Sequence, residues 1–179
     1  LVDAAVANGS IVTTTADLRD AATGRSLARA NAAAAVLTDS LTQMSLTAAS
    51  DPVQAGQLVQ YAATVTNRST SAQLYVITVP VPAGTTVAAG SISQGASFVT
   101  AGCGGATGCA AGSVIQWGNN TGYPVRINAG QSVTATFVAQ VDSNNPPANG
   151  TVIRTTAAAN AGTGGASAAV DVVVSSTDL

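Results

Sequence analysis

Apolar residues occupy every second position in several short runs of this chain. Met44, Leu46 and Ala48 form one such run. Longer runs place one apolar face on 57–67, with Val59, Tyr61, Ala63 and Val65, and another on 132–141, with Val133, Ala135, Phe137, Ala139 and Val141. Successive side chains of a strand point to opposite faces of its sheet, so this alternation predicts half-buried antiparallel strands.

Turn signals separate these runs and the weaker strands between them. Asp51-Pro52 with Gly56, then Arg68–Ser71, then Asn144–Pro147 mark the main turns. Further strands are predicted at 73–79, 97–99 and 113–117, with a final hairpin at 150–175. Trp117 is predicted to fill the core between two sheets, because a lone Trp on a strand is more often a core residue than a ligand platform.

An internal repeat divides the chain. Residues 7–16, Ala-Asn-Gly-Ser-Ile-Val-Thr-Thr-Thr-Ala, are nearly repeated at 148–157, where Gly150 follows Gly9 by 141 positions. That period is too long for a solenoid and suits a whole domain. The second copy falls in the final predicted hairpin, so the first is predicted to be a hairpin too, although the alanines at 28–35 would also suit a helix. We therefore divide the chain into an N-terminal β extension at 1–39 and a β-sandwich domain at 40–179.

Composition supports an all-β fold. Ala, Val, Thr, Ser and Gly dominate, aromatic residues are only 3%, and the helix formers Glu and Lys are absent. The six basic residues are all Arg, the eight acidic residues are all Asp, and His is absent. Charged residues make up 8% of the chain, about a third of the usual share. A surface with so little charge suits a protein that packs against copies of itself.

The same inventory excludes several classes of function. Six scattered arginines do not form the basic surface that a nucleic acid requires. No apolar run reaches the roughly 20 residues of a membrane-spanning helix. Without His, Glu or Lys, the usual acid–base and nucleophile systems cannot be assembled, so we expect no enzyme, no catalytic residue, no cofactor and no metal. Calcium at Asp142–Asn145 is the metal alternative, and ordinary turn chemistry explains those residues better.

Two cysteines lie in a glycine-rich loop. Cys103 and Cys109 are separated by five residues, a spacing that a disulfide can bridge in a flexible loop. A metal site would need further Cys or His ligands, and a redox motif would need two intervening residues. We predict a disulfide, which would place the chain in an oxidising compartment, outside the cell or at its surface.

Several motifs in a fixed order resemble a known family. They are Asp51–Gly56, Val59-Gln60-Tyr61, Val65-Thr66-Asn67, Pro82–Thr85, Trp117 and Asn128–Thr134. Over residues 42–175 the chain resembles the conserved repeat domain of unknown function found, often in tandem, in prokaryotic cell-surface proteins. The resemblance implies an immunoglobulin-like β-sandwich of adhesins, stalks and envelope proteins, with no catalytic residues to transfer. Pro80 departs from it, because the family tends to place an aspartate there.

Four Asn-x-Ser/Thr triplets could accept glycans on exposed turns. They begin at Asn8, Asn67, Asn119 and Asn149. Chance explains them equally simply, because the chain is rich in Asn, Ser and Thr.

If residues 42–175 hold a complete sandwich, the segment at 1–39 has no place in its sheets. It then belongs to a preceding domain or pairs with an identical neighbour by β-strand addition. The second arrangement predicts a structural subunit of an extracellular filament, pilus or surface assembly, a homopolymer joined head to tail. Its joining strand would be Ser10, Ile11, Val12, Thr13, Thr14, Thr15 and Ala16. The alternative is a monomeric adhesin or glycan-binding module that presents loops 101–112 or 118–124 to host or surface glycans.

Overall fold

The computed structural model describes residues 11–22, 24, 26–35, 41–93, 101–103, 108–119, 124–162 and 164–175. Its regular structure is β throughout, apart from one 3-10 turn at Ala89–Ser91. The strands, in chain order, are β1 Ile11–Arg19, β2 Ser26–Ala35, β3 Thr42–Ala48, β4 Leu58–Asn67, β5 Gln73–Pro80, β6 Thr85–Ala88, β7 Ala101–Gly102, β8 Gly108–Cys109, β9 Val114–Trp117, β10 Val125–Ile127, β11 Ser132–Val141, β12 Val152–Ala161 and β13 Gly164–Val173.

Eleven of these strands build two antiparallel sheets. Sheet I has the order β3-β4-β11-β6-β8, and sheet II has the order β13-β12-β5-β9-β7, with β10 also paired to β5. The order β3-β4-β11-β6 in one sheet, with β5 paired to the hairpin β12–β13 in the other, matches the A-B-E-D and C-F-G sheets of immunoglobulin constant-type domains. The predicted all-β, immunoglobulin-like sandwich with an N-terminal hairpin extension is confirmed.

The alternating apolar residues meet between the two sheets. Trp117, Tyr61, Tyr75 and Phe137 are all buried there, and the Tyr61 and Phe137 rings stack with centroids 5.0 Å apart. Trp117 is 0% exposed, and its indole N–H donates to the Ser93 carbonyl oxygen at 3.1 Å. The expectation that Trp117 fills the core is therefore confirmed, and Trp117 is not an exposed platform for a sugar.

The two lateral sides of the sandwich differ. On one side the short strands β7 and β8 end sheets II and I, and a disulfide joins Cys103, just after β7, to Cys109 in β8. The predicted disulfide thus connects one sheet to the other. On the opposite side the sheets end in the long strands β3 and β13.

The N-terminal segment forms a third, separate sheet. Among the described strands β1 pairs only with β2, in antiparallel register from Ile11 opposite Ala35 to Leu18 opposite Ala28. The hairpin expected from the repeat is present, and the helical alternative for residues 28–35 is wrong. β2 packs against β13 and β3, so the hairpin lies on the side of the sandwich where the long edge strands end.

Candidate joining site

The predicted joining strand lies in β1 and already has a partner. Ile11–Ala16 pair with Ala35–Ala30 of β2, and Ser10 lies outside the described residues. The side chains of Thr13–Arg19 are all exposed. Two-stranded hairpins are marginal in water unless something packs on them, so the contacts of β2 must hold this one in place.

Polar contacts stabilise the far end of the hairpin. The Asp17 carboxylate accepts hydrogen bonds from the Arg19 Nε–H, at 2.6 Å, and from the Ser26 hydroxyl. In the turn, Asp20 accepts from the backbone N–H of Ala22 through its side chain and from that of Gly24 through its carbonyl oxygen, both at 2.8 Å. Gly24 has a φ of +68°, a conformation that glycine adopts without strain.

Asn31 fastens the hairpin to the sandwich. Its amide nitrogen donates to Asp51 Oδ2 and to the Asp171 carbonyl oxygen, each at 2.8 Å. The Thr15 hydroxyl donates to Asn31 Oδ1 at 2.9 Å, which orients the amide. Asp51 in turn accepts from the backbone N–H of Val173 through Oδ1 at 2.8 Å. One carboxylate therefore ties β2, β13 and the turn after β3 together, and we call Asn31, Asp51 and Asp171 the clasp.

The clasp lies beside two strand edges with little pairing of their own. Among the described residues β3 pairs with β4 alone and β13 with β12 alone, apart from one parallel bridge between Val53 and Val174. A groove of about 490 Å³ runs between the hairpin and these edges, lined by Ala33, Leu46, Ala48 and Val170 as well as by Asn31 and Asp51. Such edges accept an added strand where their N–H and C=O groups lack ladder partners. On β13 the Asp171 C=O and the N–H and C=O of Val173 are already bonded to Asn31, Asp51 and Val53.

Nearby charge acts on one buried phenol. Burial raises the pKa of the Tyr61 hydroxyl, a hydrogen bond with Thr155 partly opposes this rise, and the negative charge of Asp51 adds to it. Tyr61 therefore stays protonated well into the alkaline range. It serves the core and offers no acid or base at neutral pH.

The four candidate glycan sites have different surroundings. Asn67 is fully buried, its amide nitrogen donates to the Ser71 and Ile127 carbonyl oxygens, and its Oδ1 accepts from Ser69. The expectation of an exposed turn at Asn67 is wrong, because β4 continues through that residue and its side chain holds the following loop. Asn149 is exposed, Asn119 is half-buried, and Asn8 lies outside the described residues. Glycosylation at these three stays a prediction.

Turn chemistry accounts for the one loop that could suit calcium. Asp142 Oδ1 accepts from the backbone N–H groups of Asn144 at 2.8 Å and Asn145 at 3.1 Å. In the described part of the chain no three Cys, Asp or Glu side chains cluster as metal ligands would. Nor does that part contain a helix of the length and apolarity needed to cross a bilayer.

Sequence reasoning missed the clasp. It assigned Asp51 to a turn and gave Asn31 no role, because no local pattern marks a contact between residues 20 and 140 positions apart. The only available signal was an Asn inside a run of alanines, at a position where a polar side chain is out of place.

Comparison with known proteins finds similar folds among solved structures and no match to the sequence. No protein-family model matches the sequence, and no curated protein matches it. Among solved structures, a protein from Corynebacterium diphtheriae described as membrane anchored is similar over 97% of this chain and 46% of its own, with 13% identity and a TM-score of 0.51. The chain thus spans about half of that structure. BslA, a bacterial hydrophobin, aligns with 77% of this chain and 98% of its own, at 13% identity and a TM-score of 0.46.

Proposed function

We propose that this chain is a structural subunit of an extracellular or cell-surface assembly, joined head to tail by its N-terminal segment. The observation that carries the proposal is the hairpin β1–β2, which stands outside both sheets of the sandwich. Within the part of the chain that the structure describes, the outer edge of β1 has no ladder partner. We propose no catalytic role, consistent with the residue types available.

The joining contact is main-chain pairing. The outer edge of β1 supplies N–H and C=O groups, and a strand edge of the next subunit receives them, as in other complexes formed by strand addition. The donor and acceptor surfaces differ, so the contact is heterologous. Repeating such a contact builds an open filament, unless the rotation between successive subunits closes the assembly into a ring. A single kind of contact is then enough to build the assembly.

Four further observations support a surface location. The disulfide between Cys103 and Cys109 persists in an oxidising compartment. Charged residues are scarce, which lowers repulsion between packed copies. The Corynebacterium diphtheriae protein that shares the fold is described as membrane anchored. The motif order noted above, which resembles repeat domains of prokaryotic surface proteins, points to the same setting.

Deletion of residues 1–38 tests the proposal. Light scattering and electron microscopy of the intact chain should show polymers, and the deleted chain should be monomeric. The deletion ends before β3, so buried Trp117 fluorescence should still report a folded sandwich and serves as the control. Polymers of unchanged length from the deleted chain would contradict the proposal, and so would an intact chain that stays monomeric at high concentration.

A further inference from the structure

Along β1, the described side chains of one face are exposed and uncharged. Thr14, Ala16 and Leu18 lie on the face of β1 opposite to Thr15, which contacts Asn31 of the clasp. Leu18 is 64% exposed. The register continues this face with Val12 on β1 and with alanines on β2, at positions 28, 30, 32 and 34. We call these eight positions the outward face of the hairpin.

The same face of the repeated hairpin is buried. In the internal repeat Thr14 corresponds to Thr155, and Ala16 and Leu18 correspond to Ala157 and Ala159. Those three β12 residues are 0%, 2% and 0% exposed. The β13 residues opposite this face are buried or pack against the core, namely Ala166, Ala168, Val170 and Val172. The outward face thus carries the residue pattern of a face that covers a sandwich core.

The polar face of the N-terminal hairpin also matches that of β12–β13, whereas the outer edges of the two hairpins differ. Thr13 corresponds to Arg154, which is exposed on the outside of sheet II. β12 pairs with β13 on one side and, through Ala158–Ala161, with β5 on the other. β1 pairs with β2 as β12 pairs with β13. Among the described residues, however, no strand lies beside β1 where β5 lies beside β12. The hairpin therefore lacks two things that β12–β13 has, a core beneath it and a strand beside it.

We infer that the outward face covers the core of a second immunoglobulin-like sandwich whose last-hairpin position is vacant. There β1 would take the place of β12 and pair with the strand equivalent to β5. In this sandwich, and in any intact copy of it, β12–β13 fills the position, so a copy of the chain becomes the partner only when that hairpin is displaced. Six residues connect β2 to β3 and span roughly 20–25 Å when extended, so the partner would lie directly beside this sandwich. The inference rests on the proposed function only in taking the N-terminal segment as the joining part.

A copy of this chain with a displaceable last hairpin is the probe. A protease site in the exposed turn at 143–145 allows the folded chain to be cut, which leaves residues 146–179 held by packing and pairing alone. Excess intact chain is then added as the donor, and native mass spectrometry follows the release of the fragment. We expect a one-to-one complex of cut and intact chain. A mass-tagged 146–179 peptide, which must exchange into the same place, is the positive control.

Paired substitutions in the donor identify the face. Ala16→Asp with Leu18→Asp should lower complex formation at least tenfold, because both charges would enter a core. Thr13→Asp should leave it within twofold, since Arg154 shows that a charge is tolerated at that position. Exchange of the tagged peptide without exchange of the donor would overturn the inference, as would equal binding by the two variants.

A chimera keeps the test decisive if neither donor nor peptide exchanges. Residues 149–175 are replaced by a second copy of residues 8–36, and cooperative unfolding is followed by Trp117 fluorescence. We expect the chimera to fold, and we expect Ala16→Asp with Leu18→Asp in the grafted copy to unfold it. A chimera that carries a scrambled hairpin is the control, and a grafted chimera no more structured than this control overturns the inference. If the intact chain is monomeric yet forms the complex with the cut chain, the proposed self-assembly fails and this inference stands. If the intact chain polymerises and the variant with Ala16→Asp and Leu18→Asp polymerises equally, the proposed self-assembly stands and this inference fails.

Discussion

Two hairpins of this chain have similar sequences and opposite surroundings. β12–β13 ends the sandwich, with Thr155 and Ala157 buried in its core. The corresponding Thr14 and Ala16 of β1–β2 are exposed. Both are antiparallel ladders closed by a glycine-containing turn, although the register of β1–β2 shifts between Leu18 and Arg19 and that of β12–β13 is continuous. What differs is the neighbouring strand: β12 also pairs with β5, whereas no second strand of the described chain pairs with β1.

The difference separates the formation of a hairpin from its burial. Alternation and turn residues are enough to specify the two-stranded ladder. Burial needs another sheet at the right distance, and a 10-residue strand cannot encode where that sheet is. The N-terminal hairpin is consequently held by a few polar contacts, chiefly the clasp, while its repeat is held by the core.

The largest effect should come from placing a charge at matched positions of the two hairpins. Ala157→Asp should destabilise the sandwich by about 3 kcal/mol or more, because an ionised carboxylate enters the core without a partner. Ala16→Asp should change the free energy of unfolding by less than about 0.5 kcal/mol. Urea unfolding followed by Trp117 fluorescence measures both. Similar losses in the two variants would show that the N-terminal hairpin is buried like its repeat.

Removal of the disulfide should affect the sandwich and spare the hairpin. Cys103→Ala with Cys109→Ala opens a loop with a sequence separation of 6. The expected cost is about 2 kcal/mol, from the greater freedom of the unfolded chain. Hydrogen exchange in β1 and β2 should remain as in the parent chain, because the disulfide lies on the opposite side of the sandwich. Faster exchange there, beyond what global unfolding explains, would indicate that the two sides are coupled.

Loss of the clasp should loosen the hairpin locally. Asn31→Ala removes three hydrogen bonds, one accepted from Thr15 and two donated to Asp51 and Asp171. The two donated bonds, one of them to a carboxylate, are worth about 1.5 kcal/mol together. Amide exchange in β1 and β2 should then accelerate about tenfold while the urea midpoint of the sandwich barely moves. Asn160→Ala, at an exposed position of the repeated hairpin, is the matched control and should change neither. Unaltered exchange in the Asn31 variant would mean that packing alone holds the hairpin.

The smallest effect at neutral pH concerns Tyr61. Its pKa in the folded state is raised above the usual value of 10.0, so the protonated phenol is favoured by folding. That contribution is fully present below pH 10 and is lost as the pH rises through the folded-state pKa. Stability should therefore fall in alkaline solution, and Tyr61→Phe should flatten this fall. Residues 11–35 of the N-terminal hairpin contain no tyrosine. Hydrogen exchange of the amides in β1 and β2 should therefore not follow the titration of Tyr61.

Much of the sandwich could be predicted from alternation. β3, β4 and β11 each place apolar residues at every second position, and the sheet buries those faces as expected. The sequence patterns did not predict β6, β7, β8 and β10, which are only two to four residues long. The strand predicted at 97–99 lies outside the described residues.

The candidate site was only half predictable. The repeat identified the N-terminal segment as a hairpin, and the completeness of the sandwich indicated that it would lie outside both sheets. The expectation that it must lie away from its own domain was incomplete, because β2 packs against β13 and β3 of the same chain. The hydrogen bonds from Asn31 to Asp51 and Asp171 form only because β2 packs there, and no periodic pattern in the sequence predicts them.

By itself the sequence determined the class of fold, the burial of Trp117, the disulfide and the hairpin form of both repeats. These features follow from short-range properties: side-chain alternation, turn residues and the spacing of two cysteines. Only the tertiary structure decided which hairpin enters the sandwich and which strand edges stay open. Burial is a property of two surfaces together, and the partner of the first hairpin is not specified by the residues within it.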